Sequence, residues 1–274
     1  MKKIFFLFLM ISKISLAENE IKSPWSFAYF GYYSSQLSDS REGGASIYFY
    51  HQFYVNYKLD QRFVLSLRPS ITYNSGGTSY GEKIKTNSKA SESQIVLVDK
   101  NPISFTSDIK SKASYKLYLP TDSKWNRIGT KTALGAGLEL TKKIDTLFTV
   151  GFETKFIYLI QSNNTYEIVE GNPSTLTPTL GSQFENILKL ELALGEYFSF
   201  TQALGLKDQY YNDSTILQSS SSHFIVLESL LSYIISDTAD LSVGLAQNAD
   251  AEDVPFSLYN DYESAYEVML SLRF

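Results

Sequence analysis

The side chains best suited to chemistry are few. There are two histidines, His51 and His223, and no cysteine. Without cysteine there is no disulfide framework, no thiolate metal site and no cysteine nucleophile. Asp208 and Asp213 lie near His223, as a protease-type barrel with an acidic pair and a histidine at its outer rim would need, and, separately, Ser221 stands two residues before His223 in a serine-rich stretch. A serine with a histidine base is the pattern of nucleophilic hydrolysis, but serine is so frequent here that the spacing reads as coincidence. A second group, Asp250, Glu252, Asp253, Asp261 and Glu263, offers carboxylates of the kind calcium binds. Its spacing matches no defined calcium loop, so it reads as solvated acid. No glycine-rich phosphate loop, metal-ligand cluster or repeat of fixed period is present. The expectation is a chain with no enzymatic role, no cofactor and no metal.

A larger set of charged residues falls at alternate positions of apolar segments: Arg68, Asp108, Lys110, Lys112, Lys116, Lys131, Glu139, Glu153, Lys155, Glu185, Lys189, Glu191, Lys207, Glu228, Glu267 and Arg273. Bases concentrate in 103–119 and 128–141, and acids lie mostly beyond. Gly129, Gly135 and Gly137 share that parity and leave space between Lys112 and Glu153. If these side chains line a pore, a basic wall facing an acidic one sets a field across it that selects polar solutes. Alternatively, the opposite charges meet and plug it.

The elements that position these residues are long strands. In 45–59 the odd positions include Ile47, Phe49, Phe53 and Val55, and the even ones Ser46, Gln52, Asn56 and Lys58. Period-two alternation marks a strand with different surroundings on its two faces. The segments 63–73, 148–160 and 184–194 repeat the pattern. Soluble strands usually run about 5–6 residues, whereas a membrane strand needs about 9–11. Residues 1–17 read as a signal peptide, with Lys2 and Lys3, the apolar run 4–11, and a small-residue cleavage site at Ser15-Leu16-Ala17. Its removal leaves 18–274 as one domain with 21 basic and 29 acidic residues, a poor surface for nucleic acid. No later stretch is long and apolar enough for a helical span. Mean hydropathy is only −0.14, as a barrel with a polar interior allows.

The last residues, SAYEVMLSLRF, place Tyr266, Val268, Leu270, Leu272 and Phe274 on one face. This resembles the terminal strand of bacterial outer-membrane β-barrels, which ends in Phe with apolar residues at every second position before it. The resemblance implies an all-β fold, a closed antiparallel up-and-down transmembrane barrel in the outer membrane, reached after export through the inner membrane. It also implies recognition of those five residues by the barrel-assembly machinery. Counting back from this strand gives twelve, with short inner turns alternating with long outer loops; ten or fourteen are the alternatives, and the strand at 93–99 is the weakest. The partners implied are outer-membrane lipids and small polar solutes. Passive passage of small hydrophilic solutes through a charged lumen is the function expected. The alternatives are a closed structural or adhesive barrel displaying its loops, and an outer-membrane hydrolase. Outer-membrane phospholipases need His and Ser two apart on the lipid-facing surface; His51 faces outward but has Phe53 at that spacing, and Ser221-x-His223 has the reverse order.

Overall fold

The computed structural model describes residues 23–42, 44–79, 82–105, 108–122, 125, 128–168, 175–212, 221–251, 258–259 and 263–274. The signal segment 1–17 and the acidic residues Glu252, Asp253 and Asp261 lie outside them. The wall is built from β1 (Trp25–Gln36), β2 (Tyr48–Lys58), β3 (Phe63–Arg68) continued by β4 (Ser70–Asn74), β8 (Ser93–Asp99), β9 (Ile109–Leu119), β10 (Thr130–Lys143), β11 (Phe148–Gln161), β14 (Leu180–Ala193), β15 (Phe198–Tyr211), β16 (Ser221–Ser236), β17 (Ala239–Asp250) and β18 (Ser264–Arg273). Taking β3 and β4 as one interrupted strand, twelve antiparallel strands form the ring. β1 pairs with both β18 and β2, which closes it. Closure leaves no edge whose backbone would lack partners in hydrocarbon.

The short connections explain themselves locally. At 59–63, 144–148 and 194–198 the first residue's N–H donates to the carbonyl of the fifth, at 3.0, 2.9 and 2.8 Å. In the first two turns an aspartate fixes the bend: Asp60 Oδ1 accepts from the N–H groups of Arg62 and Phe63, and Asp145 Oδ1 from those of Leu147 and Phe148. In the third, Gly195 takes φ +116°, a conformation that suits glycine. The strand expected to be weakest, β8, is tied at this end: Arg62 donates to both carboxylate oxygens of Asp99 at 2.6 Å.

The opposite end carries the long loops, with differences from the sequence reading. The expected loop at 75–91 contains the hairpin β5 (Gly77–Ser79) and β6 (Glu82–Ile84), then β7 (Asn87–Ala90), which pairs with β4 above the ring. The loop at 162–183 contains the hairpin β12 (Thr165–Ile168) and β13 (Thr175–Pro178), and β14 begins at Leu180. Strand β9 begins at Ile109 rather than 103, because Ile103 caps it from outside: Ser111 Oγ bonds both its N–H and its carbonyl. One helical segment, α1 (Leu37–Glu42), follows β1.

One face of the wall is apolar and open. Leu134, Phe156, Tyr158, Leu188, Leu204, Leu206 and Leu231 are exposed there. A water-soluble fold would bury such a belt; a lipid-facing wall displays it.

Candidate functional site

The inward parity carries the charge. Register sets Lys116 beside Gly135, Lys112 beside Glu139, Gly137 beside Lys155, Glu153 opposite Glu139, Lys189 opposite Gly151, and Glu185 beside both Lys155 and Lys207. Charges from strands that are not neighbours also converge. Glu228 on β16 interacts with Glu153 and Lys155 on β11 and with Lys189 and Glu185 on β14. These side chains therefore share the interior of the ring.

Within it, one arc is zipped. Lys112 meets Glu139 at 2.7 Å, Lys189 meets Glu153 at 2.7 Å, and Lys155 reaches Glu153 at 3.2 Å and Glu185 at 3.8 Å. Four other interior charges make no such ion pair among the described residues. Arg68 on β3 and Lys116 on β9, which flank β8, carry no carboxylate partner among the described residues; Arg68 bonds Ser66 and lies 4.7 Å over the Tyr54 ring. Glu228 on β16 and Glu267 on β18 flank β17 and have no basic ion-pair partner among the described residues. Tyr32 donates to Glu267 Oε1, while the buried Glu267 Oε2 meets no hydrogen-bond donor among the described residues. Strands β8 and β17 stand nearly opposite in the twelve-strand ring. Unpaired bases thus face unpaired acids across the interior. Lys207 packs over the Phe224 ring at 4.9 Å and makes no ion pair among the described residues.

A cavity of about 130 Å³ lies among Arg68, Lys112, Lys116, Gly137, Glu139, Glu153 and Lys155. It has room for several waters, and its lining supplies them with partners. Gly135 and Gly137 keep this space: a Cβ at Gly135 would stand 3.0 Å from the Tyr118 ring, and one at Gly137 would stand 3.0 Å from Ser114 Oγ.

Two expected lining residues stand elsewhere. Asp108 precedes β9 and is exposed at the short-turn rim with Lys110, Lys143 and Asp145. At Lys131 the alternation slips: an irregularity between Thr130 and Thr132 puts Thr130 opposite Gln161, with a 3.2 Å hydrogen bond, and Lys131 is exposed. Gly129 likewise precedes β10, in a turn with φ +78°. Lys110 and Glu191 sit near the short-turn end and are exposed. Arg273 there pairs with Asp240 at 2.9 Å.

Sequence parity misses a polar patch on the outer wall. Gln202, Ser229 and Gln247 have the parity of Leu204, Leu231 and Val243, yet Gln247 is fully buried and the outward Ala249 is 1% exposed. Tyr259 lies against them. Its N–H donates to Gln247 Oε1 at 2.5 Å, and its hydroxyl bonds Ser229 Oγ at 2.6 Å and Gln202 at 3.4 Å. The isolated polar letters at 202, 229 and 247 were the only sequence signal. His51 is also outward. It bonds the Tyr29 hydroxyl at 2.7 Å and stacks among Tyr33 and Phe49. Gly31 opposite makes this possible, since a Cβ there would meet that hydroxyl at 2.7 Å.

Among solved structures the chain is similar to the COG4313 outer membrane channel from Pseudomonas putida F1, with TM-score 0.66, 11% identity, and 94% of this chain and 100% of that one covered. The fold is that of outer-membrane channel barrels. The NanC porin follows at TM-score 0.51 and 9% identity, covering 90% of this chain and 100% of that one. The KdgM porin matches at 0.50 and 9%, covering 90% and 99%. No family model matches the sequence, and no curated relative matches it. At such identities the likeness speaks for backbone architecture, because the same fold hosts different functions.

Proposed function

We propose that this chain is an outer-membrane channel for passive passage of small hydrophilic solutes, exported through the inner membrane with removal of residues 1–17. What supports this reading is the closed ring, with charged side chains on its inward parity and a cavity of about 130 Å³ among them that is large enough for water. Burying so many ionised groups merely to fill a barrel is costly, whereas lining a water path keeps them solvated. Eight-stranded barrels are filled by side chains and sixteen-stranded ones leave a channel; a twelve-stranded ring lies between. The outer apolar belt provides the surface for outer-membrane lipids. The face Tyr266, Val268, Leu270, Leu272 and Phe274 is the part we assign to the assembly machinery. Phe274 also closes the seam, since its N–H donates to the Phe27 carbonyl at 2.8 Å and its carbonyl accepts from Phe27 N–H at 3.2 Å.

Conductance of the purified protein in planar bilayers tests the reading. Discrete ionic steps are the expected result; a folded barrel that inserts and passes no current would favour the closed, loop-displaying alternative.

A further inference from the structure

A serine, a histidine and an aspartate stand in hydrogen-bonding series on the outer wall, away from the lumen. Strands β15 and β16 pair so that Asp208 faces His223, and Ser221 follows two residues along the same outer face. Ser221 Oγ is 3.2 Å from His223 Nε2, and His223 Nδ1 is 2.6 Å from Asp208 Oδ1. This is the geometry of an activated nucleophile: a hydroxyl at its base, and the base oriented by a third group. The carboxylate holds the proton on Nδ1 and leaves the Nε2 lone pair for the serine hydroxyl. The His223 side chain is 43% exposed and the Asp208 side chain 28%, so a substrate can reach them.

The position on the wall indicates the substrate. Ladder pairing links Ser221 through Tyr210 and Ser182 to Tyr158, and links His223 through Asp208 and Phe184 to Phe156. Exposed tyrosines at a barrel's rim mark the water interface, and the phenylalanine row marks the start of the apolar belt. Leu204 and Leu206 stand exposed beneath Asp208. A lipid lying against this wall would put its acyl chain over those leucines and its ester carbonyl beside Ser221.

We propose that Ser221, His223 and Asp208 form a hydrolytic site for carboxylic esters of membrane amphiphiles in the loop-side leaflet. Ser221 Oγ bonds the ester carbonyl carbon as its proton passes to His223 Nε2. The tetrahedral adduct collapses, the carbon–alkoxide bond breaks, and His223 returns the proton to the leaving alcohol. Water then attacks the acyl-serine, giving up its proton through His223, and the free acid departs from regenerated Ser221. Asp208 is a positioning residue in this scheme. The site is independent of the lumen and of whether the barrel conducts.

The test uses purified barrel in mixed micelles, with p-nitrophenyl palmitate, a phosphatidylethanolamine and an acylated glycolipid as separate probes. The proposal expects fatty acid or nitrophenol release. The two lipid arms tell whether phospholipid or glycolipid is the source. A fluorophosphonate should label the Ser221 peptide. Ser221→Ala and His223→Ala should fall to background. Asp208→Asn should lose about 100-fold or more in kcat with KM little changed, and Asp208→Glu should restore part of it. Heat-modifiable mobility on a gel establishes that each variant is folded. A folded wild type that neither releases product from any probe nor takes the label overturns the proposal, as does a Ser221→Ala variant at the wild-type rate.

Discussion

Two arcs of the interior wall solve the problem of charge in opposite ways. Between β9 and β14, Lys112, Lys155 and Lys189 each have an acid within reach, and Glu153 holds both Lys155 and Lys189. Around β17 the acids Glu228 and Glu267 stand close together, with Tyr32 donating to Glu267, and around β8 the bases Arg68 and Lys116 lie near further bases, Lys112 and Lys155; none of the four makes an ion pair with an opposite charge among the described residues. The zipped arc has little net charge to offer a passing solute. The unzipped arcs lack such pairing and face one another. Stability should therefore depend on the first and selectivity on the second.

Removing the hub of the zipped arc has the largest expected effect. Glu153→Ala strands Lys155 and Lys189 in a half-buried interior. Breaking a fully buried pair costs about 3–5 kcal/mol. Because the Lys189 side chain is 39% exposed, solvent screening reduces this to about 2 kcal/mol. Urea unfolding in detergent micelles measures it. A midpoint identical to wild type would mean that the zipped arc is solvated and structurally idle.

The second break is functional. Arg68→Gln with Lys116→Gln removes the unpaired bases, and reversal potentials under a salt gradient should move toward cation preference. Glu228→Gln with Glu267→Gln should move them the other way, each by several-fold in permeability ratio. Shifts in the same direction, or none, would show that these residues do not border the path of the ions.

Much of this was legible in the sequence because alternation is a local signal. Period two, aspartates in the short turns, and the apolar face ending in Phe274 are enough to give twelve strands. The zipped residues were also named, since Lys155 and Glu153 share a parity that any strand imposes. What alternation cannot carry is a register slip or a contact between distant segments. Lys131 failed because one extra residue at the start of β10 turns the parity over, leaving Thr130 against Gln161. Asp108 failed because the wall begins one residue later, after a connection that Ser111 holds outside. Gln202, Ser229 and Gln247 read as polar letters on a lipid face, and their partners include each other, Glu263 and Tyr259, contacts that alternation does not state. Ser221 and His223 were visible as a pair, but Asp208 joins them through the β15–β16 register, which a single sequence does not state.

Glu267 combines near-complete burial with an acceptor oxygen that meets no donor among the described residues. A buried group without a partner costs about 1–3 kcal/mol. The amide of Glu267→Gln keeps the shape and still accepts the Tyr32 hydroxyl. It also removes a negative charge beside Glu228. Stability should hold or rise by up to about 1 kcal/mol, although the same residue matters to selectivity. Clear destabilisation would mean that a cation or water bridges the two carboxylates.

The smallest effect belongs to the rim of the zipped arc. Lys112 and Glu139 meet at 2.7 Å, but their side chains are 55% and 41% exposed. An exposed pair loses most of its Coulomb energy to water and salt, and holding two long side chains together costs entropy. Lys112→Ala should cost no more than about 0.5 kcal/mol, with less difference in high salt than in low. The contrast with Glu153 lies in burial rather than distance, because both residues make contacts of 2.7 Å. If Lys112→Ala destabilised the barrel as much as Glu153→Ala, burial would not be what separates the zipped middle from its rim.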